Sequence, residues 1–277
     1  MAQFAKQALA QNINVVSKFD SSLKELLAVL GKSDVTILAP GTTMKIYTAA
    51  GMLPISQAGE AQEIEDARIT MEVAKTVELT YSKFRNLTSV EAIGKMGYDV
   101  AVLGSNEAML KEVQGKVRKS IYDGLKEGTG TAQGATFQAA CANAWGKVTE
   151  AFEGDAVTPV FFANPMDVAG YLGSAAVTTQ SAFGMNYIQN FMGLGHVLID
   201  SNVPAGTVYG TAVENLDVCA ANVAGIAGLD CHTDASGIIA IHNGAKIENA
   251  AIQTVAICGL AVFPVFANRV VKATISA

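Results

Sequence analysis

The chain has 277 residues, of which 50% are hydrophobic and only 16% are charged. So much apolar material excludes a disordered chain, and 26 Gly and 6 Pro scattered without a period exclude a collagen-like one. The net charge of -6 argues against tight, charge-driven nucleic-acid binding by the chain as a whole. A protein so poor in charge has either a large core or a surface that other subunits cover.

The sequence shows neither a membrane span nor a secretion signal. Its longest uncharged stretch, residues 168–199, is interrupted by amides, Gly and Thr, and fails as a bilayer span. The first dozen residues lack the continuous apolar core of a signal peptide, which favours a cytosolic origin. The four cysteines have no CxxC spacing and sit among small apolar residues, so we expect reduced, inert thiols: Cys141, Cys219, Cys231 and Cys258.

The amino-terminal segment mixes polar and apolar residues. Large apolar side chains from Val15 to Leu30 recur at roughly helical spacing. This pattern predicts a helix over residues 21–30, preceded by an irregular arm.

After Pro40 the periodicity becomes alternating. Met44 and Ile46 alternate with Lys45 and Tyr47, and apolar residues over 68–81 take odd positions: Ile69, Met71, Val73, Val77, Leu79 and Tyr81. Fourteen residues at about 3.3 Å each make a strand of roughly 46 Å, whereas strands usually run about 3 to 10 residues. The segment between the two alternating stretches is rich in Gly, Ala, Gln and Glu. We therefore predict a projecting hairpin with its tip between the strands; an ordinary sheet with a long loop is the alternative.

The next segment changes to helical periodicity. A narrow apolar stripe over residues 105–126 predicts a long helix lying across a sheet, with Ser105 or Asn106 as its cap and a stop at residues 128–130; the stripe is Met109, Val113, Val117, Ile121 and Leu125. A second helix is predicted over residues 137–152.

The carboxy-terminal part alternates short apolar strands with short Ala-rich helical pieces. The helical pieces are expected around residues 166–172 and 213–223, and the strands at residues 160–163, 196–200, 207–210, 237–242, 255–264 and 270–275. This order predicts an α+β body with a mixed sheet.

No phosphate-binding loop, dinucleotide fingerprint, nucleophile elbow, zincin or EF-hand motif occurs, and no cofactor is expected. The best chemical cluster follows Asp230 and could hold a metal or supply a nucleophile and base; it consists of Cys231, His232, Asp234 and His242. Its spacing matches no known ligand pattern closely. The alternative is a turn between strands, in which Asp234 bonds the local backbone and Gly237 permits the reversal.

The order of these parts resembles the Hong Kong 97-type major capsid proteins of tailed bacteriophages: an arm, a long hairpin (residues 42–81), a spine helix (residues 105–126) and an α+β domain. Residues 159–173, PVFFANPMDVAGYLG, resemble the family's strand ending in Asn-Pro before a helix. Residues 195–216 resemble its strand, its VPxGxVY turn and a following helix around Glu214. Residues 242–275 resemble its final strands, with an exposed transition at residues 259–264.

The resemblance implies an α+β Hong Kong 97-type fold with four regions. These are an N-terminal arm (1–40), an extended hairpin arm (41–85, tip about 50–66), a peripheral domain (86–136 and 264–277) and an axial domain (137–263). It also implies a major capsid protein that forms hexamers and pentamers of an icosahedral shell around double-stranded DNA. Expected partners are further copies of the chain, a separate scaffolding protein, a portal, decoration proteins and, non-specifically, packaged DNA. The expected location is the virion, assembled in the host cytoplasm.

In this family the hairpin lies over an adjacent subunit. Carried over, residues 52–66 would be the tip and residues 185–195 an axial or inter-subunit loop. The residues expected at subunit contacts are Met52, Leu53, Pro54, Glu60, Glu63, Glu65, Asp66, Arg68, Met185, Asn186 and Tyr187. Because acidic residues dominate this tip, a basic patch on the neighbour is expected.

Two departures from the family pattern lead to expectations. Some members link an arm Lys covalently to an Asn of a neighbour, but no Lys lies between Lys45 and Lys75. A shell held only by non-covalent contacts is therefore expected. Some forty residues precede the hairpin, where other members carry a removable scaffolding segment of about a hundred. We expect a separate scaffolding protein or none, and no maturation cleavage.

Three other functions stay open. An encapsulin-like nanocompartment shares the fold and would enclose cargo enzymes, a phage tail-tube protein also has a sheet with a long hairpin, and the Cys/His cluster would define a metal-dependent enzyme. The resemblance favours a structural protein without enzymatic activity.

Overall fold

A computed structural model describes residues 2–50, 70–153, 155–173, 178–224 and 231–276, with the backbone alone for residues 2–13 and 49–50. The helices in these ranges are α1 Ala2–Val29, α2 Val90–Met96, α3 Tyr98–Lys126, α4 Phe137–Ala151 and α5 Pro165–Leu172. None of these helices combines the length and the apolar character that crossing a bilayer requires.

The strands alternate with these helices along the chain. They are β1 Thr36–Leu38, β2 Thr43–Ala50, β3 Thr70–Glu78, β4 Ser82–Ser89, β5 Gly130–Gly134, β6 Pro159–Ala163, β7 Gln180–Ala182, β8 Met185–Phe191, β9 Gly195–Ile199, β10 Thr207–Ala212, β11 Leu216–Ala221, β12 His232–Thr233, β13 Ile239–Lys246, β14 Ala251–Cys258, β15 Leu260–Pro264 and β16 Val271–Ile275.

These strands form four sheets. A seven-stranded sheet has the order β5-β16-β10-β6-β9-β8-β7, a four-stranded sheet the order β12-β13-β14-β4, and a three-stranded sheet the order β1-β11-β15. Strands β2 and β3 form an antiparallel hairpin by themselves. Because parallel pairs such as β6 with β9 occur beside antiparallel ones, the predicted α+β body with a mixed sheet is confirmed.

The larger core lies where α1 and α3 meet the four-stranded sheet. The predicted stripe of α3 is buried throughout, and α1 contributes two of the largest fully buried side chains, Phe19 and Leu26. Phe19 meets Phe183 edge to face, with ring centroids 5.9 Å apart. A polar contact also joins the two helices, since the Gln114 side-chain amide donates to the Ser22 hydroxyl at 2.7 Å. The spine helix α3 therefore lies across a sheet, as its narrow stripe predicted.

A second core lies between α4 and the seven-stranded sheet. Phe137, Cys141 and Val148 on α4 are buried against strand residues such as Phe161 and Val208. Thr136 caps the helix, because its hydroxyl accepts a hydrogen bond from the Ala139 amide at 3.2 Å. The predicted helix over residues 137–152 is confirmed to within one residue.

Two predicted helix starts were wrong. The segment expected as an irregular arm is helical from Ala2, because it is rich in Ala and Gln and no Gly or Pro interrupts it before Gly31. The spine helix starts at Tyr98 rather than near Ser105. Asn106 is buried within it, and the Ser105 hydroxyl donates back to the Ala101 carbonyl at 2.8 Å instead of capping the end.

Two predictions in the carboxy-terminal part also fail. Residues 213–223 were expected to be helical, yet only the 3-10 turn Val213–Asn215 forms, and β11 follows it between β1 and β15. Its small apolar residues are buried on both faces, a pattern that local periodicity does not separate from a helix. The transition at residues 259–264 was expected to be exposed, but Leu260 and Phe263 are buried because β15 pairs with β11 inside the protein.

The predicted domain limits at residues 136 and 264 do not follow the sheets. Strands β5 and β16, assigned to the peripheral domain, pair with each other in the seven-stranded sheet beside α4. Strands β13 and β14, assigned to the axial domain, join β4 in the sheet that α3 crosses. Pairing between segments distant in sequence decides this grouping, and a local pattern does not reveal it.

Candidate interaction surfaces

The hairpin of β2 and β3 has an anchored base. Side chains on one of its faces, Met44, Ile46 and Val77, pack around the buried Leu79 and Phe263. The Leu79 amide also donates to the Thr42 carbonyl at 3.2 Å, which closes the base. The base of the hairpin is thus part of the subunit's core.

Lys75 ties the hairpin to the carboxyl end of the spine helix. Its Nζ lies 2.9 Å from Oε2 of Glu127 and 3.4 Å from the carbonyl oxygen of Pro264. The same Nζ lies 5.6 Å from the centre of the Phe263 ring, within range of a cation–π contact. Three contacts from one side chain fix the direction in which the hairpin leaves the subunit.

A β-bulge changes the face that the hairpin presents farther out. Ile46 is paired with Lys75 but Tyr47 with Val73, so Ala74 is an extra residue in β3. Because side chains alternate along a strand, Met71 and Val73 lie on the face opposite Val77. The odd positions of this segment were predicted to share one side; the bulge divides them between two.

This change of face leaves large apolar side chains in solvent. Tyr47 is 51% exposed, Val73 48% and Met71 63%. Tyr47 and Val73 are direct cross-strand partners. Met71 is paired with Ala49, two residues beyond Tyr47 on β2. We call these three side chains the outer apolar face of the hairpin. The alternating pattern predicted neither the exposure of Tyr47 nor the bulge. Lys75, which occupies an odd position among apolar residues, was the visible sign that the alternation is interrupted.

The residues predicted at the hairpin tip lie outside the described part of the chain. They are Met52, Leu53, Pro54, Glu60, Glu63, Glu65, Asp66 and Arg68, and their contacts stay a prediction. The strands flanking the tip are described and are paired up to Ala50 and Thr70. A projecting hairpin therefore forms, while the single fourteen-residue strand over 68–81 was wrong, because β3 ends at Glu78 and β4 begins at Ser82.

The segment predicted as an inter-subunit loop is a strand hairpin. β8 pairs with both β7 and β9, and Met185 at its start is buried in the larger core. Asn186 is exposed, and the half-buried Tyr187 hydrogen-bonds the Gln180 side chain through its hydroxyl. A subunit contact at these residues stays a prediction, with Asn186 the most accessible of them.

The segment that carries the Cys/His cluster forms the turn given above as the alternative to a metal or catalytic site. Asp234 accepts backbone hydrogen bonds from Ile238 at 2.7 Å and Ile239 at 2.9 Å through one carboxylate oxygen. Gly237 has a φ of +68°, a left-handed conformation that suits glycine. Within the described ranges no three His, Cys, Asp or Glu side chains are grouped as metal ligands, and Asp230 lies outside those ranges.

Three of the four thiols are buried, as predicted. Burial raises the pKa of Cys141 and Cys219 to about 12, and that of Cys258 to about 11. A thiol with such a pKa is neutral near pH 7 and is a poor nucleophile. Cys231 is the half-buried exception.

Comparison with known proteins gives similarity in structure but not in sequence. A scan against protein-family models and a search of curated proteins give no match. A chain of Gordonia phage Cozz is 13% identical with a TM-score of 0.60, covering 91% of this chain and 87% of that one. A chain from the capsid of the native GTA particle is 12% identical with a TM-score of 0.59, covering 88% of each chain. The SrpI encapsulin from Synechococcus elongatus is 8% identical with a TM-score of 0.51, covering 87% and 84%.

These similarities define the fold of the chain. They extend over 91% and 88% of its length. The chain has the α+β Hong Kong 97-type fold. The resemblance drawn from the sequence is confirmed at the level of this fold.

Proposed function

We propose that the chain is the major capsid protein of a tailed bacteriophage, which assembles with copies of itself into an icosahedral shell around double-stranded DNA. The observation that carries this proposal is the hairpin: its base belongs to the subunit core, while its outer apolar face is left about half exposed or more by the described residues. Exposed apolar side chains on a projecting element mark an interaction surface. We propose a structural role and no catalysis.

In this proposal each hairpin covers part of an adjacent subunit in a hexamer or pentamer. The Lys75 contacts fix the direction of the hairpin, so that the same contact repeats around a ring of copies. Each contact is small, and closure of the shell makes many of them act together. The low share of charged residues fits a surface that is covered in the shell.

Further partners follow from the phage role. A separate scaffolding protein, a portal and decoration proteins are expected, with assembly in the host cytoplasm and final location in the virion. A net charge of -6 fits a shell whose contact with packaged DNA is weak and non-specific, because a strongly basic lining would bind phosphates tightly and hinder release.

An encapsulin-like shell is the second candidate. The match to the SrpI encapsulin at a TM-score of 0.51 supports it, beside the matches of 0.60 to the Cozz chain and 0.59 to the GTA capsid chain that support the phage role. A tail-tube protein would not need the long spine helix α3. The metal-dependent enzyme has no support, because the Asp234 carboxylate is engaged in backbone hydrogen bonds of a turn.

The contents of native particles test the proposal. Particles are purified from producing cells and treated with nuclease, and their nucleic acid and protein are then measured. Protected DNA of genome length is the expected result. Particles that enclose a second protein and no DNA would establish the encapsulin role instead.

Deleting residues 51–65 tests the hairpin's part. The shortened chain should fold, because the described core residues lie elsewhere, but it should not form closed shells. Full-size shells of normal stability from this variant would contradict an arm that joins neighbours.

A further inference from the structure

Strand β4 forms one edge of the four-stranded sheet. In the described part of the chain it pairs with β14 alone, so one side of its backbone has no strand beside it. Just beyond β4, the Val90 amide donates to the carbonyl of Ala250, the residue directly opposite, at 3.0 Å. Because hydrogen-bonded and non-bonded pairs alternate in an antiparallel ladder, the odd-numbered residues of β4 direct their amides and carbonyls outward. Lys83, Arg85 and Leu87 therefore present unpaired backbone groups along this edge.

A groove lies beside the open edge, between β4 and the spine helix α3. Its volume is about 480 Å³. On the α3 side it is lined by the small side chains of Ser105 and Ala108, together with Met109 and Glu112. Small side chains at these positions leave space for another chain next to β4.

The side chains of β4 alternate between two faces of the sheet. Phe84 packs against the larger core, whereas Lys83 and Arg85 are exposed on the opposite face. Neither of these two forms an ion pair with another described residue. None of the four strands of this sheet contains Asp or Glu, although the chain as a whole has a net charge of -6. The open edge is thus a positively charged site in an acidic protein.

An extended peptide matches this site better than a nucleic acid does. A peptide strand can form main-chain hydrogen bonds with the outward groups of β4, which a nucleic acid cannot, and Glu112 in the groove disfavours phosphate. Carboxylates at alternate positions of the peptide can pair with Lys83 and Arg85, while the apolar side chains between them face the groove. Within the described ranges no strand of the chain itself carries carboxylates two positions apart.

We propose that the open edge of β4 binds an extended segment of a second protein, with acidic and apolar residues at alternate positions, as a further strand of the sheet. Charged side chains on an edge strand also serve to prevent unwanted pairing, and the experiments below separate the two roles. The contact needs a single subunit, so it can fail while the proposed function holds.

A synthetic peptide tests the charge requirement. The probe is a fluorescein-labelled eight-residue peptide of alternating Glu and Val, equal in length to β4, and its binding to the full chain below the assembly concentration is measured by fluorescence anisotropy. Lys83→Glu combined with Arg85→Glu should weaken binding about tenfold, because two opposite-charge pairs become like-charge pairs.

The matched control for this test changes the net charge equally at another place. Lys116→Glu combined with Lys119→Glu alters exposed residues of α3 that do not line the groove, and it should change the affinity less than about twofold. Equal losses from the two double variants, or no binding by the wild-type chain, would overturn the proposed site.

A proline separates strand addition from simple charge attraction. Leu87→Pro removes an outward amide but no hydrogen bond to β14, and edge strands tolerate such a proline. Leu87→Ala is the control, because it also removes the leucine side chain but keeps the amide. Leu87→Pro should weaken peptide binding about tenfold relative to Leu87→Ala, with urea unfolding to check that both fold. Equal binding by the two folded variants would overturn the added strand, and the charge-reversal test decides the matter if the proline variant does not fold.

Two further measurements test other occupants of the edge. A duplex DNA probe that binds as tightly as the peptide, and is lost in the Lys83→Glu, Arg85→Glu variant, would assign the edge to nucleic acid and overturn the proposal. The peptide should bind closed shells as it binds subunits. Loss of binding on assembly would overturn the second protein as occupant and show that a copy covers the edge, the acidic hairpin tip with Glu63 and Glu65 being the segment with the matching pattern.

Discussion

The outer apolar face of the hairpin should set the concentration at which the chain assembles. Burying a whole Met side chain stabilises by about 1.5–3 kcal/mol. Because Met71 is 63% exposed in the subunit, covering it against a neighbour should contribute about 1–2 kcal/mol per contact. Met71→Ser should therefore raise the critical assembly concentration about tenfold, since about 1.4 kcal/mol corresponds to a factor of ten.

The assay is light scattering over a concentration series, with negative-stain microscopy to identify the scattering species. Urea unfolding below the assembly concentration measures the subunit alone, where Met71→Ser should change the free energy of unfolding by less than about 0.5 kcal/mol. Glu72→Ser is the matched control, because Glu72 is adjacent, exposed and on the other face of β3. An unchanged critical concentration for Met71→Ser, or an equal shift for Glu72→Ser, would refute the assignment of this face.

Four further results are expected. Asn106→Leu should raise the free energy of unfolding by about 1–3 kcal/mol in urea titrations, because this buried amide has no hydrogen-bond partner among the described residues; a lower value would contradict this. Lys75→Met should lower the free energy of unfolding by about 1 kcal/mol. The decrease should be smaller at high salt, because Glu127 is 61% exposed and salt screens its ion pair with Lys75. A decrease that does not change with salt would exclude the ion pair as its cause. Burial raises the pKa of Cys141 to about 12, from 9.0 in the unfolded chain. Thermal stability should therefore fall as pH rises above 9, because the thiol of the unfolded chain ionises first. Over that pH range a Cys141→Ala variant should lose less thermal stability than the wild-type chain. Particles boiled in SDS should release single chains of 28.8 kDa, whereas a ladder of larger species would show covalent links.

Local periodicity predicted the elements that pack through one regular face. The four-residue spacing of the α3 stripe identified the spine helix, and alternation identified both strands of the hairpin. Local periodicity failed where a segment is stabilised by strands that are distant in sequence. The segment Val218–Ala221 is strand because β1 and β15 flank it, although its composition fits a helix equally well.

The parts of the interaction surfaces that the sequence did not reveal depend on single residues and distant pairings. One extra residue in β3, Ala74, places Met71 and Val73 on the face of the hairpin opposite Val77. A prediction from strict alternation assumes that no such residue is inserted. Strand β4 pairs with β14, which lies more than 150 residues further along the chain, and a local pattern does not reveal such a pairing.

The assembly state of the purified chain tests the proposed shell most directly. Negative-stain electron microscopy of the wild-type chain, above the critical concentration found by light scattering, should show closed, roughly spherical shells of uniform diameter. Tubes, open sheets or isolated subunits at every concentration would contradict a shell-forming capsid protein.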